Sequence, residues 1–444
     1  MKTSVKLILT VATLLCFFET KAQNNTKHNN YLSDTPILSK AQMLADYDSL
    51  ISYINQVSPI IQFNKEVRHI DFNKHAKKLK KKITSKTSRE EYLFLVEKTL
   101  IVAQDGHSNR LGNSLLDIVK KIWIPKGFAT GLDTLDFPHS YKYEKFIKEN
   151  FYTKLKLELV YINGEYYNIL PFSYKGKNYP AAMKLISCND KKIHQFVKNM
   201  EELISPLRWD RANNKVYHEN FYTVGEIYKN NQLKLTFIDK NQEKKIVNIT
   251  KDDTVTFLEE KKNNFGYNSS TASVITHYKK KEQIFYGKIP AMDEKFGDTL
   301  TKHFENVIKK FPVKSIVLDV RGNGGGNDNT YGKFLGKILK DTIKTNLTVG
   351  RILSPLNCKY YEMNKDSITA YGMSLSKEGP KLKNLKMFYN IIPNYSFFYP
   401  EKEILPFEGN IYVLQDRFIF SSTSNLSSLA YKNKRLISIG EMPN

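Results

Sequence analysis

The sequence predicts an α/β protein with a parallel-sheet core, an N-terminal helical region and an inserted β-rich module. Three stretches carry that prediction. Ile316-Val317-Leu318 is a short continuous apolar run, as a strand buried on both faces requires; Gly322, Gly324, Gly325 and Gly326 break it, and Tyr331, Phe334, Leu335, Ile338 and Leu339 follow at helical spacing. A second strand, turn, helix and strand unit spans Gly409 to Glu441. Between residues 151 and 256, alternating apolar positions and turn signals replace the helical period.

At 444 residues, with 41% hydrophobic and 12% aromatic content, the chain is long enough for two or three cored domains and is not of disordered composition. A formal charge of +23 suits nucleic acid, anionic membrane surfaces or acidic substrates, yet the lysines are spread along the chain. Their densest cluster, between Lys77 and Lys82, falls on a helix and reads as a solvated face, so nucleic acid is not an expected partner.

Lys2 and Lys6 precede the apolar run Leu7 to Phe18, and Thr20-Lys21-Ala22 fits a cleavage site. Residues 1–22 are therefore expected to be a signal peptide cut after Ala22, making the protein exported, periplasmic or extracellular. A lipoprotein reading through Cys16 is disfavoured by Leu15, where a small residue is wanted. No other run is long and apolar enough for a stable membrane span. The two remaining cysteines, Cys188 and Cys358, fall in different predicted domains and read as buried or bystander thiols. No metal and no organic cofactor is expected.

Residues 23–36 form a polar, flexible lead, and residues 37–150 the helical region. Met43, Leu44, Tyr47, Leu50, Ile51 and Ile54 place a helix over Ser39 to Val57, stopped by Pro59; a second runs near Phe72 to Ile83. A third opens with the capping box Ser88 and Glu91 and buries Leu93, Val96, Leu100 and Ala103. Gly106 is expected to end it, leaving His107 just beyond a rigid element. From the residues alone, His107 is either a general base or a histidine with a structural hydrogen bond.

In residues 151–256, Leu155, Leu157, Leu159 and Tyr161 alternate with polar residues, Asn163-Gly164 is a hairpin turn, and Met183 to Ser187 is a strand. Asn189-Asp190 is a turn, Ile193 to Met200 a short helix, and Leu233 to Ile238 with Lys245 to Ile249 a second hairpin. This order resembles a PDZ-like domain, which implies binding of peptides at a sheet edge, although Tyr179-Pro180-Ala181-Ala182 stands where a Gly-Leu-Gly carboxylate loop would be.

Residues 257–444 return to α/β. The glycine stretch fits neither a dinucleotide fingerprint, since Asn327 takes the last glycine's place, nor a phosphate loop with Gly-Lys and Ser or Thr. It is either a packing turn or a loop whose bare amides serve an anion or oxyanion. In a parallel sheet, the Ser421-Ser422 turn and the glycine loop leave neighbouring strand ends and face each other.

The spans IVLDVRGNGGG and GNIYVLQDRFIFSS…LAYKNKRLISIGE resemble the two core motifs of the tail-specific, or C-terminal processing, serine peptidases. With Asp105-Gly106-His107-Ser108 the likeness extends to tricorn-core-like members. The resemblance implies a ClpP/crotonase-like parallel-sheet core, Ser421 as nucleophile with Ser422 as the near-miss alternative, Gly324 and Gly325 as oxyanion donors, and His107 as base. It implies an endopeptidase acting on unfolded or extended polypeptide substrates. The family's further catalytic residue, a lysine or a glutamate, falls beyond Asn444 by ungapped alignment, so a truncated core is expected. The rival readings are a catalytically inactive peptide-binding protein on the same scaffold and an exported polyanion binder.

Overall fold

A computed structural model describes residues 32–35, 38–127, 135–155, 157–259, 273–344, 349–352, 354–360, 387–390, 397–430 and 433–443. The expected signal peptide, its cleavage site and Cys16 lie outside the described residues. The chain forms two units. The first runs to Lys261 and takes back Ile352–Lys365; the second holds Lys262–Arg351 and Phe388–Asn444.

The first unit opens with helix α1 (Lys40–Val57), capped reciprocally by Ser39 and Gln42. Pro59 was expected to stop that helix, and it does stand just past the end; it also starts the next one, α2 (Ile60–Val67), where its missing N–H is no loss. Helix α3 (Phe72–Lys80) is capped by Asp71, and α4 (Arg89–Val102) by the box of Ser88 and Glu91. Tyr92, Leu95, Ile101 and Val102 are buried on α4 as well as Leu93 and Val96, so the helix is enclosed on several sides rather than along one stripe. Helices α5 (Asn113–Ile118) and α6 (Phe137–Asn150) follow.

Strands β1 (Leu159–Ile162), β2 (Glu165–Asn168), β3 (Lys184–Cys188), β4 (Gln232–Ile238) and β5 (Lys244–Thr250) form an antiparallel sheet in that order. Asn163 at φ 50 and Gly164 at φ 84 close the first hairpin, pairing Ile162 with Glu165. Helix α7 (Ile193–Lys198) follows the Asn189-Asp190 turn, where both residues have positive φ. The boundary drawn at residue 150 is crossed by one continuous core. Tyr47, Tyr92 and Val102 belong to the same buried cluster as Leu157, Tyr166, Leu185 and Phe237, and Phe94 of α4 lies 5.6 Å from the ring of Phe151. Within this unit, the helix Pro355–Tyr360, expected in the C-terminal core, packs on α1: Asn357 Nδ2 donates to Gln56 O at 3.1 Å, satisfying a carbonyl that the helix end leaves orphaned.

The second unit is built on one sheet of β6 (Ile275–Lys279), β7 (Ile284–Lys288), β8 (Ser315–Asp319), β9 (Asn410–Gln415) and β10 (Leu436–Gly440), in that order. The sheet is mixed and not wholly parallel. β6 and β7 pair antiparallel because only a short turn through Gln283, at φ 58, joins them; β7, β8, β9 and β10 pair parallel. Helix α8 (Glu294–Ile308) leads into β8, α9 (Asn329–Gly336) leaves it, and α10 (Ser422–Leu429) connects β9 to β10. Phe304 of α8 is the hub of this core, with ring centroids of Phe285, Phe334 and Phe407 at 5.1, 5.6 and 5.8 Å.

One half-buried carboxyl in the first unit opposes folding at neutral pH. Burial pushes Asp46 up to about 6 from an ordinary 3.8, partly offset by the hydroxyl of Tyr92, which donates to it at 2.7 Å. The folded state therefore holds this proton where the unfolded chain has lost it, so stability rises as pH falls from about 6 to about 4. At pH 7 the ionised carboxylate is a cost. Asp46→Asn keeps an acceptor for Tyr92 and is expected to stabilise by about 1–3 kcal/mol at pH 7, with the gain vanishing near pH 4. Urea midpoints at the two pH values check this.

Candidate active site

Parallel pairing of β8 with β9 places Asp319 beside Leu414, so the loops that leave both strands start side by side. The β8 loop is pinned at its root by a buried ion pair. Asp319, 1% exposed, receives Arg321 Nε at 2.9 Å, Arg321 Nη2 at 2.7 Å and the Tyr286 hydroxyl at 2.8 Å. Burial alone would raise its carboxyl; the bonds from Arg321 and Tyr286 outweigh that and hold it below the ordinary range.

Asn323 is the joint between the two loops. It is fully buried, and its Nδ2 donates to Ile289 O at 3.0 Å. Its Oδ1 accepts both Gly325 N–H at 2.9 Å and the Thr423 hydroxyl at 2.8 Å, while its backbone carbonyl accepts Phe420 N–H at 3.2 Å. Asp416 ties the loops a second time, accepting Gly322 N–H at 3.1 Å and Phe418 N–H at 3.0 Å. Gly325, at φ 103, lets the turn around Ser421 come close: a β-carbon there would lie 2.6 Å from Phe420 O and 2.8 Å from Ser421 Cβ.

Ser421 and Ser422 separate clearly. Ser421 is exposed, at φ 53 and ψ −124, immediately before α10, and among the described residues its hydroxyl has no hydrogen-bond partner. A non-glycine residue in this region is strained and persists only when its surroundings enforce it. Ser422 is 3% exposed and its hydroxyl donates to Asp328, which also accepts Asn425 Nδ2 at 3.0 Å. The near-miss serine is thus an anchor, and the exposed one is presented by it.

Gly324 is exposed with open space around its Cα, and its amide has no acceptor among the described residues. Gly325 departs from expectation: its N–H is already given to Asn323 Oδ1. The amide of Ser422, in the first turn of α10, has no acceptor among the described residues, and its nitrogen lies 3.2 Å from where a Gly325 β-carbon would be. Among the described residues, the amides of Gly324 and Ser422 are thus unengaged donors near Ser421.

His107 belongs to the first unit, where it is exposed. Its loop is organised by Asp105, which accepts His107 N–H at 2.9 Å and the hydroxyls of Ser108 and Ser58, each at 2.7 Å. The end of α4 is not made by Gly106. Gln104 takes the left-handed conformation at φ 49, and its buried amide donates to Ile204 O at 2.6 Å and accepts Leu207 N–H at 2.7 Å, contacts that offset the strain. Past His107, Arg110 reaches Glu144 at 2.9 Å. Sequence reasoning missed Asn323, Asp328, Asp416 and Gln104, since no local pattern distinguishes a buried amide or carboxylate that joins loops far apart in the chain. Among the described residues no group of three or more His, Cys, Asp or Glu could hold a metal ion.

An α/β core that sets an exposed, strained serine against a glycine loop is a hydrolase layout, and the comparisons agree with it. Residues 283–443 match the model of peptidase family S41, and this match gives the enzyme class of a serine peptidase. The crystal structure of mature CPAF aligns with 90% of this chain and 83% of its own length, at 9% identity and a TM-score of 0.51, a likeness of fold. The photosystem II D1 C-terminal processing protease aligns with 90% of this chain and 81% of its own, at 12% identity and a TM-score of 0.35. No curated protein matches the chain.

Substitution separates the two glycines. Gly325→Ala is expected to cost about 1–3 kcal/mol through positive φ and backbone overlap, whereas Gly324→Ala stays within about 0.5 kcal/mol of wild type. Urea unfolding of both variants checks the packing, and equal costs contradict it.

Proposed function

We propose that the protein is an exported endopeptidase that cleaves unfolded or extended polypeptide segments, with Ser421 as nucleophile and His107 as its base. The observation that carries this reading is the exposed Ser421 hydroxyl beside the unengaged Gly324 and Ser422 amides. A serine hydroxyl is a poor nucleophile until a base takes its proton. His107 accepts that proton as Ser421 Oγ attacks the scissile carbonyl, and the developing oxyanion is held by Gly324 N–H and Ser422 N–H at the positive end of α10. His107 then protonates the leaving amine, and a water activated by the same imidazole releases the acyl group from Ser421.

Two further parts of the reading concern substrate delivery and location. The antiparallel sheet of the first unit, read as PDZ-like, ends in β1 and β5, where an extended segment can add as a strand. The second unit is read as ClpP/crotonase-like, with the antiparallel β6 as its departure. Lys2, Lys6 and the run Leu7 to Phe18 support export with cleavage after Ala22.

A fluorophosphonate probe and an unfolded protein substrate test the assignment together. Ser421→Ala is expected to abolish labelling and lower kcat by at least about a thousandfold, and His107→Ala to lower it by about 10²–10⁴-fold. Ser422→Ala retains labelling at Ser421. Labelling that survives Ser421→Ala, or an unlabelled wild type that still binds peptide, overturns the assignment.

A further inference from the structure

We propose that α5 and the π-helical turn Val119–Trp123 after it form a docking surface for an anionic lipid bilayer. This segment stands on a core of its own: Leu116 and Val119 pack with Leu135 and Phe137, apart from the main cluster of the first unit. Its outer face is apolar and basic at once. Ile118, Ile122 and Trp123 remain 39%, 43% and 39% exposed, and Lys120, Lys121 and Lys126 are exposed among them. Asp117, the one carboxylate in the segment, is occupied by the Tyr141 hydroxyl at 2.6 Å and by Lys121 at 3.4 Å.

A bilayer surface matches both halves of this face. Isoleucine and indole side chains enter the boundary between headgroups and acyl chains, while lysine stems lie along the same apolar layer and carry their ammonium groups up to the phosphates. A protein partner is less well matched, because lysine is depleted from the centre of protein interfaces and here Lys120 and Lys121 stand between the exposed Ile118 and Ile122. The contact is a surface one: among the described residues no helix is long and apolar enough to cross a membrane. It is independent of the roles given to Ser421 and His107.

The test uses the full chain with Trp209→Phe, so that Trp123 is the single tryptophan of the two in the sequence. With vesicles of phosphatidylglycerol and phosphatidylcholine its emission is expected to shift to the blue and the protein to co-sediment; phosphatidylcholine alone gives neither. Lys120→Glu with Lys121→Glu is expected to weaken co-sedimentation by roughly tenfold or more, as two lysines near an anionic surface predict, and Ile122→Ser with Trp123→Ser by a similar factor. An equal loss from Lys81→Glu with Lys82→Glu, on the lysine-rich helix end elsewhere, shows diffuse charge at work and overturns the proposal. So does a Trp123 shift produced by unfolded polypeptide and not by vesicles.

Discussion

The side-chain amide of Asn323 holds the second unit's chemistry in place. It is fully buried and all of its bonding capacity toward the site is used: one amide hydrogen goes to Ile289 O, and the oxygen takes both the Gly325 amide and the Thr423 hydroxyl. A buried amide pays a large desolvation cost unless its partners are in position, and that requirement fixes where the glycine loop and the start of α10 can lie. Ser421 is held in a strained conformation between two residues, Phe420 and Ser422, that are themselves anchored, the first on Asn323 O and the second on Asp328. The strain is therefore sustained by bonds on either side of the serine and not by the serine itself.

The same logic uses buried charge. Asp319 would be costly at the end of β8, yet the guanidinium of Arg321 two residues on and the Tyr286 hydroxyl compensate it, and the loop leaves the strand at a defined angle. In the first unit, Arg110 lies between two buried carboxylates, 2.9 Å from Glu144 and 3.6 Å from Glu97, whose carboxyl burial pushes up. Asp105 and Arg110 thus secure the loop of His107 at both ends, while the histidine side chain stays exposed.

The donor set beside Ser421 illustrates how a glycine-rich stretch divides its work. Gly325 and Gly326 are there for approach: a β-carbon on Gly326 would lie 2.1 Å from Met292 O, and one on Gly325 would overlap the serine turn. Gly324 has open space where a β-carbon would stand, and its amide has no acceptor among the described residues. The glycines of this run are therefore not equivalent: Gly325 and Gly326 make room for neighbouring backbone, and the Gly325 amide is engaged while that of Gly324 is not.

The sequence by itself determined the elements that depend on neighbours in the chain. The capping box at Ser88, the turn at Asn163-Gly164, the apolar run of β8 and the helical spacing after the glycines are local matters of dihedral preference and periodicity, and each was legible without coordinates. So was the meeting of the two loops, because parallel strands send their loops to one end. Tertiary structure decided the rest: that β6 folds back antiparallel, that Pro355–Tyr360 returns to α1, that Gln104 rather than Gly106 ends α4, and that the Gly325 amide and the Ser422 hydroxyl are both engaged in hydrogen bonds. Each of these turns on where a buried polar group finds its partner among residues distant in the chain, which no local pattern encodes.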